Sequence, residues 1–128
     1  MVPRKVLVVD DNDDAADSLA DVLRLAGHDV QVAYNGVTAI EKNKQFAPDV
    51  VILDLALPTM DGFEIARRIR RERGHDELRL IAVTGYGQDD DRRSTRDAGF
   101  DYHVTKPPDL EVLLSLIADD GRKYANAR

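Results

Sequence analysis

Cysteine is absent from the chain. That absence removes thiol catalysis, thiolate metal sites and disulfides, and leaves the redox compartment open. Long apolar runs are missing as well. The N-terminus MVPRKVLVVDD carries an apolar stretch too short for a signal peptide and breaks at once into acids. No segment approaches the roughly 18 apolar residues of a membrane span, so the cytoplasm is the expected compartment. Positive charge is in deficit, with 18 Lys and Arg against 24 Asp and Glu and a net charge of −6; this argues against the chain as a whole binding nucleic acid. Neither a GxGxxG fingerprint nor a GxxxxGK[ST] loop occurs, which leaves nucleotide binding without a motif to support it. No linker, low-complexity segment or repeat breaks the 128 residues, a length that suits one domain with one core. Residues 1–121 are expected to form that domain, with 122–128 a C-terminal tail or the stub of a linker.

The stretch VVILDLALPTMDG, from Val50 to Gly62, organises what is present. Val50, Val51, Ile52 and Leu53 are too few for a globular helix and too apolar for a half-exposed strand, so they read as a strand buried on both faces. Asp54 ends that run. A carboxylate does not belong in such a core, but it fits the carboxyl end of a central parallel strand, where α/β proteins place their ligand crevices.

The same grammar recurs along the chain. Lys5 to Val9 is an apolar run ending in Asp10, Asp11, Asn12, Asp13 and Asp14. Ala16, Leu19, Ala20, Leu23 and Ala26 then keep helical spacing up to Gly27, predicting a helix over about 14–26 with Asp13 or Asp14 at its N-terminus. Asp29 to Tyr34 alternates as a strand nearer an edge would, and a weaker helix begins near Val37. Beyond Gly62, Phe63, Ile65, Ala66 and Ile69 mark a helix whose other face carries Arg67, Arg68, Arg70 and Arg71. That arginine cluster, with Arg73, reads as a solvated face paired with Glu64, Glu72 or Asp61 rather than a nucleic-acid site. Leu80 to Val83 is a third buried run, ending in Thr84, and a polar helix is expected from about Gln88 to Asp97. Tyr102 to Thr105 is the last strand, ending at Lys106 and Pro107. A final helix follows, with Asp109 as N-cap and a stripe of Leu110, Leu113, Leu114 and Ile117. Five strands alternating with five helices predict a doubly wound parallel sheet with helices on both faces.

In such a sheet Asp10, Asp11, Asp54, Thr84 and Lys106 all arrive at one edge. Three carboxylates within about 5 Å of one another repel by roughly 3 kcal/mol per pair at an effective dielectric near 20, which favours a bound divalent cation. All-oxygen ligands suit Mg²⁺ or Mn²⁺. With the cation present an anion can approach, and Lys106 and the Thr84 hydroxyl offer a charge and a donor to its oxygens.

These residues, with LPTMDG and KP, give the chain its likeness: over essentially its full length it resembles the response-regulator receiver domain of two-component signalling, a flavodoxin-like fold. The resemblance implies that Asp10, Asp11 and Asp54 hold Mg²⁺ together with the backbone carbonyl of Ala56. It also implies that a histidine kinase or histidine phosphotransfer domain phosphorylates Asp54, and that Thr84 and Lys106 contact the phosphoryl group. It makes the chain a phosphoacceptor with self-catalysed phosphorylation and dephosphorylation rather than an enzyme, a monomer or weak dimer acting on a downstream effector protein or a covalently linked domain. In the family the Lys-Pro peptide is cis, which implies a cis Lys106-Pro107 bond. Thr84 is expected to move toward the phosphoryl group and His103 to rotate into the vacated space. Position 103 is usually Tyr or Phe in the family, so His103 is a departure, and one that reads on its own as a half-buried packing residue. The segment from VTGYGQ through DAGFDYHVTKP is most similar to receivers at the C-terminus of hybrid histidine kinases. Two rival readings are weighed against this one. A haloacid-dehalogenase-type aspartyl-phosphate hydrolase needs a second Asp where Ala56 stands, and a receiver-like docking module without phosphorylation has no need of the five intact residues.

Overall fold

The computed structural model describes residues 2–57, 60–74, 77–85 and 96–118. The strands are β1 (Lys5–Val9), β2 (Asp29–Ala33), β3 (Val50–Asp54), β4 (Arg79–Thr84) and β5 (Tyr102–Thr105). Four helices stand among the described residues: α1 (Asp13–Leu25), α2 (Gly36–Phe46), α3 (Gly62–Glu72) and α4 (Leu110–Ala118). The helix expected over 88–97 lies mostly outside the described residues, as does the expected tail at 122–128; Arg96 and Asp97 are helical. No described helix is long and apolar enough to cross a membrane.

All five strands are parallel, in the order β2-β1-β3-β4-β5. The chain winds outward from β1 to the β2 edge, then returns past β1 to β3 and runs on to β5. The carboxyl ends of β1 and β3 therefore flank the point where the winding reverses, the place where open α/β sheets build crevices. Alternation along each strand divides the core between two layers. Leu7, Val9, Val51, Leu53, Leu80 and Ala82 meet Ile65, Ala66 and Ile69 of α3 on one face. Val6, Val8, Val50, Ile52, Ile81 and Val83 meet Ala16, Ala20 and Leu23 of α1 and Leu113, Leu116 and Ile117 of α4 on the other. The continuous apolar runs of β1, β3 and β4 follow from this, because both of their faces are covered.

Caps fix where the helices start. Asn12, not Asp13 or Asp14, is the N-cap of α1, its side chain accepting from the Ala15 N–H at 3.0 Å. Asp13 and Asp14 sit in the first turn, where their charge faces the positive end of the helix dipole. Asp61 caps α3 through the Phe63 N–H at 2.9 Å. Gly62 follows it because α3 begins hard against the loop leaving β3: a Cβ there would stand 2.9 Å from the Leu55 Cα.

Two expectations about helix faces are corrected. Arg67, Arg68 and Arg71 do lie on the exposed face of α3, all within 3.7 Å of Glu64, but Arg70 and Arg73 turn inward. Arg70 donates to the carbonyls of Gly99 and Leu78 and to the Asp101 carboxylate. Arg73 donates to the carbonyls of Pro48 and Glu77. Their guanidinium groups reach the chain just before β3, β4 and β5 and satisfy carbonyls there. On α4 the buried stripe is Leu113, Leu116 and Ile117, while Leu110 is 41% exposed. The helix starts at Leu110, and Leu114 is partly buried against the same core layer as Leu113, Leu116 and Ile117.

Candidate functional site

The acidic edge is assembled from backbone registers. Val9 of β1 pairs with Leu53 of β3, and Asp54 pairs with Val83 of β4. Asp10 therefore leaves β1 beside the end of β3, and Thr84 stands one residue beyond the partner of Asp54. Oxygens of Asp10, Asp11 and Asp54 lie within 4.8 Å of one another. Asp54 is buried, whereas Asp11 is exposed and Asp10 half-buried. The Asp54 carboxylate is held at both oxygens: Oδ1 accepts from the Ala56 N–H at 2.9 Å and Oδ2 from Lys106 Nζ at 2.5 Å. Lys106 comes from the end of β5, two strands away, and its own N–H donates to the Thr84 carbonyl at 2.7 Å. The Lys106-Pro107 peptide is cis. The Thr84 side chain is buried, with Oγ1 2.9 Å from His103 Nε2.

A cleft of about 670 Å³ opens over this cluster, lined by Asp10, Asp11, Asn12, Asp54, Ala56, Lys106 and Pro107 among others. Of the residues singled out in the sequence, the structure thus gathers Asp10, Asp11, Asp54, Ala56 and Lys106 around one cleft. Thr84 and His103 stand together, with Thr84 tied to Lys106 through its backbone. Asn12 had not been counted. Its N–H donates to Asp10 Oδ1 at 3.0 Å while its side chain caps α1, so one residue both starts the helix and orients a carboxylate. The D-x-N spacing that makes this Asx turn was readable in the sequence.

Among the described residues the electrostatics are those of an acid-rich crevice with one cation, Lys106. Burial lifts the Asp10 carboxyl above the usual range; the Asn12 N–H and the Lys106 charge work against that lift, and the charges of Asp54 and Asp11 add to it. Burial pulls the Lys106 amine down, yet its hydrogen bond to Asp54 and the charges of Asp54, Asp10 and Asp11 outweigh that pull and leave it raised. Three carboxylates against one ammonium leave an excess of negative charge over hard oxygen donors, the chemistry that suits a hexacoordinate divalent cation. The donor set fits Mg²⁺ or Mn²⁺.

Comparison with known proteins bears on the family and the fold. The family model described as "Response regulator receiver domain" matches residues 6–118. A curated relative, the DNA-binding dual master transcriptional regulator RpaA of Synechocystis, is 34% identical over 113 residues, which is 88% of this chain and 47% of that protein. The chain thus spans about half the length of that relative. An uncharacterized 14.6 kDa protein of Leptolyngbya boryana is 37% identical over 88% of this chain and 86% of its own length. Among solved structures, the CheY-like response regulator receiver domain protein of Methanospirillum hungatei superposes with a TM-score of 0.83 at 27% identity, covering 91% of each chain. With its sheet order, its acidic crevice and a family match over most of its length, this chain belongs to the response regulator receiver domain family.

Proposed function

We propose that the chain is a phosphoacceptor: a phosphohistidine on a partner histidine kinase or histidine phosphotransfer domain gives its phosphoryl group in line to Asp54. One Asp54 oxygen attacks phosphorus, the P–N bond breaks, and the imidazole leaves with the bonding pair. Little covalent chemistry is asked of the protein, so positioning and charge carry the reaction. Asp10, Asp11, Asp54 and the Ala56 carbonyl would hold Mg²⁺ or Mn²⁺, which would supply the positive charge that lets an anionic phosphoryl group approach an anionic carboxylate. Lys106 binds an equatorial phosphoryl oxygen through the ammonium that now rests on Asp54. The Ala56 N–H keeps Asp54 aimed into the cleft. The Thr84 hydroxyl donates to a further phosphoryl oxygen, which supplies the differential contact that a switch between two states requires.

The observation that carries this reading is the meeting of Asp10, Asp11 and Asp54 within 4.8 Å, with Lys106 at 2.5 Å from Asp54. On this reading the chain acts in the cytoplasm and turns over no substrate beyond its own phosphorylation and dephosphorylation. Its output passes through an altered protein-binding face to a separate effector or a linked domain, not through nucleic acid bound by this domain. Incubation with acetyl phosphate and Mg²⁺, followed by intact mass, tests it. The expected result is one labile phosphoryl adduct, lost in Asp54→Asn and in EDTA. No adduct at all would make the chain a docking module, and repeated turnover of a phosphomonoester would make it a hydrolase.

A further inference from the structure

The Thr84 hydroxyl, which the phosphoacceptor reading needs at the cleft, is engaged elsewhere: Oγ1 lies 2.9 Å from Nε2 of His103. The registers explain the contact. His103 pairs with Ala82 across β4 and β5, and Thr84 lies two residues past Ala82, so the two side chains project from the same face of the sheet. Asp54 pairs with Val83, whose side chain points to the opposite face. A phosphoryl group on Asp54 and the ring of His103 therefore draw the Thr84 oxygen in different directions.

We propose that His103 is a positioning residue that holds the domain in its resting state by keeping the Thr84 hydroxyl away from the phosphoryl site; the proposal rests on the phosphoacceptor reading above. Both tautomers of the ring give this result. If Nδ1 carries the ring proton, Thr84 donates its only hydroxyl proton to Nε2 and has none left for a phosphoryl oxygen. If Nε2 carries it, the ring donates to Oγ1 and fixes the oxygen on the β5 side. In the first case engagement of the phosphoryl group by Thr84 requires this hydrogen bond to break, and in the second it draws Oγ1 away from the ring, toward the side of Asp54 and Val83. A phenyl ring at position 103 offers no such partner. The bond thus sets a cost on the switched state that a side chain without a polar atom at position 103 does not. Breaking a neutral hydrogen bond of this kind shifts an equilibrium by about fivefold, from the typical net worth of such bonds.

The test uses the full chain and beryllofluoride with Mg²⁺, a non-covalent mimic of the aspartyl phosphate, with affinity read by ¹⁹F NMR titration. His103→Phe is expected to tighten beryllofluoride about fivefold, as in the estimate from hydrogen-bond strengths. His103→Gln, whose amide restores a partner for Oγ1, is expected to return the affinity to within about twofold of the unchanged chain. In a Thr84→Val background the His103→Phe gain is expected to vanish, because the restraint acts through that hydroxyl. Equal or weaker binding by His103→Phe overturns the proposal, and so does a gain that survives in Thr84→Val. Failure of the unchanged chain to bind beryllofluoride at any Mg²⁺ concentration is a different result: it removes the phosphoacceptor reading and this proposal with it.

Discussion

Lys106 Nζ stands 2.5 Å from Asp54 Oδ2, so the one ammonium among the described residues of the crevice neutralises the carboxylate that the phosphoacceptor reading makes the nucleophile. Its removal has opposite effects on cation and phosphoryl group. Lys106→Met takes a positive charge from beside the cation site, and Mg²⁺ affinity by calorimetric titration is expected to rise about three- to tenfold, given the Coulomb energies of a partly solvated cluster. Labelling by acetyl phosphate is expected to fall by tenfold or more, because one phosphoryl oxygen loses its cationic partner. Parallel losses of both would show that Lys106 only supports the fold.

Relieving the crowding of carboxylates is expected to stabilise the metal-free domain. Asp10→Asn keeps an Oδ1 to accept from the Asn12 N–H and deletes one of three like charges. In urea unfolding without metal the variant is expected to gain about 1 kcal/mol, the pairwise repulsion being discounted for solvent at this half-buried site. With millimolar Mg²⁺ the order reverses, since stabilisation by a ligand follows its concentration relative to its dissociation constant.

Away from the cleft, Arg70 ties α3 to the entrances of β4 and β5. Its side chain is 10% exposed, with Nη2 2.5 Å from Asp101 Oδ2, and that same oxygen accepts from the Leu80 N–H at 2.8 Å. Arg70→Leu is expected to cost about 3 kcal/mol in denaturant unfolding, because it strips the guanidinium from a poorly solvated carboxylate. Gly99→Ala is expected to destabilise as well: Gly99 has φ +104, and an added Cβ would stand 2.7 Å from the Arg70 Cγ. In a double-mutant cycle the two losses should fall short of additive.

His28 gives the domain a pH dependence of its own. Its Nδ1 accepts the Arg4 N–H at 3.1 Å, and burial, followed by the Arg4 charge, lowers its pKa below the usual 6.5. The unfolded chain then binds the proton first, so stability is full above that usual value and falls as pH drops through the window between it and the native value. His28→Asn, whose Oδ1 takes the place of Nδ1, is expected to flatten the loss between pH 7.5 and pH 5 in urea titrations. An unchanged slope would assign the acid sensitivity to other groups.

The continuous apolar runs of β1, β3 and β4 could be read directly, because four or five such residues bounded by polar ones are too few for a buried helix. Asp10, Asp11, Asp54, Thr84 and Lys106 were legible for the same reason: each ends a strand, and parallel strands share an edge. Side-chain reach was not legible. Arg70 and Arg73 share the composition of Arg67, Arg68 and Arg71, and only the position of Gly99, Asp101 and Pro48 in space turns two of the five inward. Asn12 is the cap because α1 begins at Asp13, and a run of one asparagine among four aspartates, all good caps, does not mark that boundary to the residue. The hydrogen bond between His103 and Thr84 depended on the pairing of β4 with β5 in a register that sequence periodicity does not set.

Sheet order also bears on when the crevice comes into being. The three acids are brought together by neighbours, β1 and β3, whereas the Lys106 ammonium arrives on β5 at the far margin, two strands over from β3. A half-folded intermediate holding only the central pair would gather anions with nothing to offset them. Divalent salt in the refolding buffer would then act on the early steps of assembly, before the outermost strand has docked.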